Sequence, residues 1–201
     1  MRWGKRQLSH KKGQQRVLHG LYIIIQQIFL HAFAVQPPCS ELDFLPGGNY
    51  TVSMNLKSIL TTETINLHLK GSVKDEIINE LLDILVAAGK IQNREAAHEA
   101  IMYREHKMST GMKHGIAIPH GKSSTISDLV ACIGISDKPI DFDSLDSEPS
   151  RIFIMTLSPV EKTGPHLQFL AEISLLFKSA EKRQEILGAQ TPEAVIKILA
   201  E

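Results

Sequence analysis

Two imidazoles and one guanidinium are the groups in this chain whose type and setting could hold an anion. The most informative stretch runs Arg104-Glu-His-Lys-Met-Ser-Thr-Gly-Met-Lys-His-Gly-Ile-Ala-Ile-Pro-His120-Gly-Lys122. Within it, Gly115-Ile-Ala-Ile118 reads as an apolar strand that ends at Pro119 and delivers His120 at its tip, on a rigid scaffold but facing the loop layer. Gly121 would then let a partner or a phosphate come close to the backbone. His166 falls in the first turn of a helix opened by Gly164-Pro165, where free backbone N–H groups and the helix dipole favour an anion. Arg104, near the end of another predicted helix, brings a planar fork that matches phosphate oxygens. One nucleophilic ring, a second ring and one guanidinium suffice to hold a phosphoryl group on nitrogen.

Each of these residues also has a plainer reading. His120 could end a strand and bond a turn, His166 could cap its helix, and Arg104 could pair with Glu99 on its own helix. His114, beside Lys113, reads as an exposed loop residue at the border of a docking surface. His98 and His106 read as solvated helix positions, and Cys132, inside an apolar run, as core.

Several chemistries lose support. The chain has no Gly-x-x-x-x-Gly-Lys loop, Gly-x-Gly-x-x-Gly run or His-Glu-x-x-His pair, which argues against a nucleotide kinase, a Rossmann dehydrogenase and a zincin. It also lacks the Gly-x-Ser-x-Gly of a serine hydrolase. Cys39 and Cys132 make neither a disulfide framework nor a zinc spacing, and a reducing compartment fits them best. With 22 Lys+Arg against 22 Asp+Glu, no basic excess exists to bind nucleic acid.

The elements that would position the three groups lie in residues 54–201. Ile65, Leu67 and Leu69 alternate with polar residues, as in a half-buried strand, with His68 toward solvent. Ser72 and Asp75 suggest a capped start to a helix that runs through about Lys90, with Ile77, Ile78, Leu81, Leu82 and Leu85 as its buried stripe and Gly89 as its stop. Asn93 can cap a second helix through about His106. Leu129–Ile135 and Arg151–Leu157 are continuous apolar runs, the mark of strands covered on both faces, and Asp137–Ser150 reads as a solvated connector. After the helix at Gly164-Pro165, Glu181–Gly188 and Thr191–Glu201 read as two more helices. Helices on both faces of a central mixed sheet predict a three-layer α/β/α sandwich.

Residues 1–53 differ in kind. They carry six basic and two acidic side chains, a net of +4 that leaves −4 for residues 54–201. A basic run precedes the apolar stretch Leu21–Val35, with Ala32 and Ala34 in the spacing of a secretory cleavage site, but Gln26, Gln27 and His31 interrupt the stretch and it is too short to span a bilayer as a helix. Pro37-Pro38 and Pro46-Gly-Gly-Asn49 suit a linker. We read 1–53 as an N-terminal extension or loosely attached tail, and 54–201 as the functional unit, of a size that supports one core.

Residues 54–201 resemble the enzyme IIA domain of the fructose/mannitol class of the phosphoenolpyruvate-dependent sugar phosphotransferase system, with its nitrogen-regulatory relatives. The most specific piece is Gly115-Ile-Ala-Ile-Pro-His-Gly121, which matches the family's phosphorylation motif. Arg104-Glu105 with Ser109-Thr110, Asp141-Phe-Asp143 with Glu148-Pro149, and His166-Leu167 with Leu170-Ala171 and Ser174 follow in the family's order. The resemblance implies a cytoplasmic phosphocarrier whose His120 accepts a phosphoryl group from the histidine of the carrier protein HPr and passes it to a sugar-specific IIB domain. It implies that His166 and Arg104 stabilise charge rather than exchange protons, and that no metal, nucleotide cofactor or membrane insertion is needed. It equally admits a regulatory protein that signals through the phosphorylation state of His120 to other protein targets. A third alternative is a non-phosphorylated binding module of the same fold.

Overall fold

The structure, a computed structural model, describes residues 56–200. The expectations for residues 1–53, the apolar stretch at 21–35 among them, lie outside the described residues. A helical turn at Leu56–Ile59 and a 3-10 turn at Thr62–Thr64 lead into strand β1 (Ile65–Leu69). Helices α1 (Lys74–Ala87) and α2 (Arg94–Lys107) follow, then strands β2 (Ile116–Ala117), β3 (His120–Lys122), β4 (Val130–Ile140) and β5 (Ser150–Ser158). Helices α3 (Thr163–Leu176), α4 (Ala180–Gly188) and α5 (Pro192–Leu199) complete the described chain.

The sheet runs β1-β4-β5-β2, and β3 also lies on β5, continuing the edge that β2 begins. β4 and β5 are antiparallel, while β1 is parallel to β4 and both β2 and β3 are parallel to β5, so the sheet is mixed. Alternation along the strands sorts side chains between two cores. Cys132, Phe153, Met155 and Leu157 join Ile77, Leu81, Ala97 and Ile101 of α1 and α2 on one face. Ala131, Ile133, Ile152 and Ile154 join Phe169, Ile173, Ile186 and Val195 of α3, α4 and α5 on the other. This is the expected three-layer sandwich, and both central strands are buried on both faces. Among the described residues no helix is long and apolar enough to cross a membrane.

Three local expectations are corrected. α1 starts after Val73 with no side-chain cap; Ser72 instead donates its N–H and hydroxyl to Glu76, so the chain turns into the helix on a first-turn carboxylate. The connector is shorter than 137–150, because β4 continues through a register shift to Ile140, which pairs with Ser150. His120 opens β3 instead of lying beyond a strand, since the carbonyl of Pro119, whose nitrogen has no hydrogen to give, accepts from Thr156 N–H at 3.0 Å and keeps the edge on register. The caps of α2, α4 and α5 are formed by the side chains of Asn93, Ser179 and Thr191.

Candidate functional site

Ile116 and Ile118 point into the core beneath α3, and the same alternation turns His120 toward that helix at the sheet edge. Its Nδ1 lies 2.7 Å from the carbonyl oxygen of Ile118. A carbonyl only accepts, so the proton is on Nδ1 and Nε2 keeps its lone pair. Arg104 Nε donates to that lone pair at 3.1 Å, and Arg104 Nη1 donates to the carbonyl of Met108 at 2.8 Å. The contact from Arg104 Nε requires a neutral imidazole, because a protonated ring has no lone pair at Nε2. Burial, the largest cause, holds the pKa of His120 below its ordinary value; the bond to Ile118 opposes this and the Arg104 charge adds to it.

His166 stands in the second core layer, 5% exposed, with its ring centroid 5.6 Å from that of His120 and the planes tilted by 52°. Its Nδ1 is 2.9 Å from Ser158 Oγ. Burial first, then the neighbouring His120 ring and the charges of Lys122 and Arg104, lower its pKa to about 4. It is neutral at pH 7. Lys122 Nζ bonds Thr163 Oγ1 at 2.7 Å, tying β3 to the start of α3.

Arg104 reaches the ring because α2 lies directly on β3. A Cβ on Gly121 would sit 2.9 Å from the backbone carbon and oxygen of Ala100 in α2. The close approach that Gly121 permits is therefore internal, and differs from the partner or phosphate approach expected from the sequence.

A polar chain supports the ring from behind. Lys74 Nζ bonds the buried Glu105 carboxylate at 2.6 Å and Asp143 at 3.1 Å. Glu105 accepts the N–H of Thr110 at 3.0 Å and its hydroxyl at 2.5 Å. The Thr110 carbonyl accepts Ile118 N–H at 3.0 Å, and the Ile118 carbonyl accepts His120 Nδ1–H. Burial alone would raise the pKa of Glu105, but the bonds from Lys74 and Thr110 outweigh it and hold the carboxyl below its ordinary range. The orienting carbonyl of Ile118 is thus anchored through Thr110 to the buried carboxylate of Glu105 and its ion pair with the half-buried Lys74.

The structure brings His120, His166 and Arg104 together. His114 is set apart on an exposed turn with φ of 67°. His106 is exposed and His98 half-buried on α2. Cys132 is core, where burial pushes its thiol far up, and it does not face the site. Sequence reasoning missed Ser158, Lys74 and the Ile118 carbonyl. Glu105 and Thr110 stood in the sequence only as part of the family resemblance, and nothing in the sequence ties Ser158 to His166 across the layers.

The family model described as phosphoenolpyruvate-dependent sugar phosphotransferase system, EIIA 2, matches residues 58–201. The chain belongs to that family. A fructose-specific EIIA component from Haloferax volcanii is 33% identical over 147 residues, covering 73% of this chain and 96% of the relative. A fructose-specific EIIABC component from Bacillus subtilis is 34% identical over 146 residues, 73% of this chain, and this chain spans 23% of that protein. A nitrogen regulatory protein from Pseudomonas aeruginosa is 28% identical over 148 residues, 74% of this chain and 96% of the relative.

Among solved structures, the nitrogen regulatory protein IIA-Ntr from Neisseria meningitidis superposes with a TM-score of 0.69 at 25% identity, over 73% of this chain and 99% of that one. The IIA mannitol enzyme in a complex with phosphorylated IIB mannitol from Escherichia coli superposes with a TM-score of 0.61 at 19% identity, over 70% of this chain and 96% of that one, and shares the fold. EIIA domains carry phosphoryl groups between components of the phosphotransferase system and work with IIB domains. The sugar-specific and the nitrogen-regulatory branches are both represented among the EIIA relatives.

Proposed function

We propose that this EIIA chain accepts a phosphoryl group on Nε2 of His120 from the phosphohistidine of HPr and delivers it to a sugar-specific IIB domain. The observation that carries this reading is the 2.7 Å bond from His120 Nδ1–H to the Ile118 carbonyl, which leaves Nε2 as an electron-pair donor beside Arg104 and His166. As the Nε2–P bond forms, the bond from phosphorus to the donor nitrogen breaks and its electrons return to the donor ring. The Nδ1 proton stays with His120, so no base is required. Transfer then rests on in-line placement and on neutralising the equatorial oxygens. Arg104 gives up its bond to Nε2 as phosphorus arrives and takes phosphoryl oxygens, still held through Nη1 by Met108. A phosphoenolpyruvate-fed donor implies a cytoplasmic location.

The test is incubation of the chain with phosphoenolpyruvate and the upstream phosphotransferase proteins. An acid-labile, base-stable phosphoryl mass shift is expected on the wild type and absent from His120→Ala. Its persistence in His120→Ala would overturn the site assignment. Delivery to a purified sugar-specific IIB domain supports the transport role.

A second reading, regulation through the phosphorylation state of His120, is favoured by the nitrogen-regulatory relatives. Phosphorylation by HPr without an acceptor among the cell's IIB domains would support it.

A further inference from the structure

Ser158 ends β5 with 0% of its surface exposed, and the hydrogen-bond partner of its Oγ is His166 Nδ1 at 2.9 Å. This bond can run in either direction. If Nδ1 carried the proton, it would donate to Oγ, and the hydroxyl hydrogen would be buried with no acceptor among the described residues, a penalty that native structures avoid. If the hydroxyl donates to Nδ1, both atoms are satisfied and the ring proton lies on Nε2. His166 Nε2 has no partner among the described residues, yet it is not one of their buried unpartnered atoms, so it keeps a path to solvent. The same accounting gives His120 the opposite tautomer, because the Ile118 carbonyl only accepts and Arg104 only donates.

We propose that Ser158 is a positioning residue that holds His166 in its Nε2–H tautomer, so that a hydrogen-bond donor stands beside the electron-pair donor His120. The proposal rests on the reading of His120 as the phosphoryl acceptor. Phosphoryl oxygens only accept hydrogen bonds, and a neutral His166 has one proton to give. With its pKa lowered to about 4, the ring is uncharged at pH 7, and its tautomer decides whether it attracts or repels those oxygens. The strand dictates the placement: Ile152 and Ile154 face α3, and the same period of two brings Thr156 and Ser158 to that face, where Ser158 meets His166.

Long-range proton–nitrogen spectra of the unphosphorylated, nitrogen-15-labelled full chain at about pH 7, near the ordinary range of histidine, read the tautomers directly. An Nε2–H pattern is expected for wild-type His166 and for Ser158→Thr, with a mixture of tautomers in Ser158→Ala. Transfer from phosphorylated HPr should fall about five-fold in Ser158→Ala with the donor KM unchanged, recover in Ser158→Thr, and fall no further when Ser158→Ala is added to His166→Ala. An Nδ1–H pattern in wild-type His166 overturns the proposal, as does an unchanged pattern in Ser158→Ala or an equal rate loss in the His166→Ala background. Should Ser158→Ala fail to fold, the wild-type and Ser158→Thr spectra decide. A wild type that takes no phosphoryl group on His120 overturns the functional reading, while the spectra still judge the tautomer.

Discussion

Arg104 Nε donates to Nε2 of His120 at 3.1 Å, so the guanidinium occupies the lone pair that we assign to phosphorus. The resting ring is held from both sides, by the Ile118 carbonyl at Nδ1 and by Arg104 at Nε2. The arrangement keeps the imidazole neutral and oriented, and it places the neutralising charge at the reacting atom before the donor arrives. It also requires the guanidinium to move aside without leaving, which the bond from Nη1 to the Met108 carbonyl permits.

Arg104→Lys keeps the charge but loses the fork and the Nε contact. The rate of phosphoryl transfer to His120 should fall about 100-fold, with thermal stability close to wild type because the residue is half-exposed. Rapid-quench transfer measurements alongside a melting curve check both parts, and a wild-type rate would remove Arg104 from the mechanism.

The neutral, buried His166 makes stability depend on pH in a defined window. Its pKa is about 4 in the folded chain, against an ordinary 6.5. The unfolded chain therefore binds the proton first, and stability declines as pH falls from about 6.5 to about 4, by at most about 3 kcal/mol. His120, also lowered, contributes in the same direction. His166→Gln removes the His166 share, so denaturant titrations across that window should show a shallower slope than wild type. Equal slopes would mean that His166 is not held neutral.

Gly121→Ala puts a Cβ 2.9 Å from the backbone of Ala100, which cannot give way as a flexible side chain would. α2 must shift from β3, at a cost of about 1–3 kcal/mol, and Arg104 is drawn from His120. Denaturant midpoints should fall, and phosphoryl transfer should drop in the surviving folded protein. Unchanged values in both would show that the contact between helix and strand is slack.

We propose that residues 54–201 act without the segment before them. A protein beginning at Met54 should give a melting transition and accept phosphoryl on His120 at the full-length rate. An unfolded or unphosphorylated product would assign residues 1–53 a part in the unit.

The order of elements, and the three candidate residues that the structure gathers at the sheet edge, could be read from the chain because each leaves a local mark. The stripe Ile77, Ile78, Leu81, Leu82 and Leu85 recurs with helical period, the runs at 130–135 and 152–157 are apolar but for Thr156, as suits doubly covered strands, and His120 stands next to its glycine. Where β4 ends was less legible, because Asp137, Lys138 and Pro139 are exposed and break the apolar run before the buried Ile140, which pairs with Ser150, brings the strand back to the core. Tertiary structure decided the directions of the bonds. Which nitrogen of His120 holds a proton depends on a carbonyl two residues back, anchored through Thr110 to Glu105 and Lys74. His166 depends on Ser158, eight residues earlier and in another layer. Hydrophobic period is a property of neighbours along the chain, whereas a tautomer answers to whichever donor or acceptor folding brings within three ångströms.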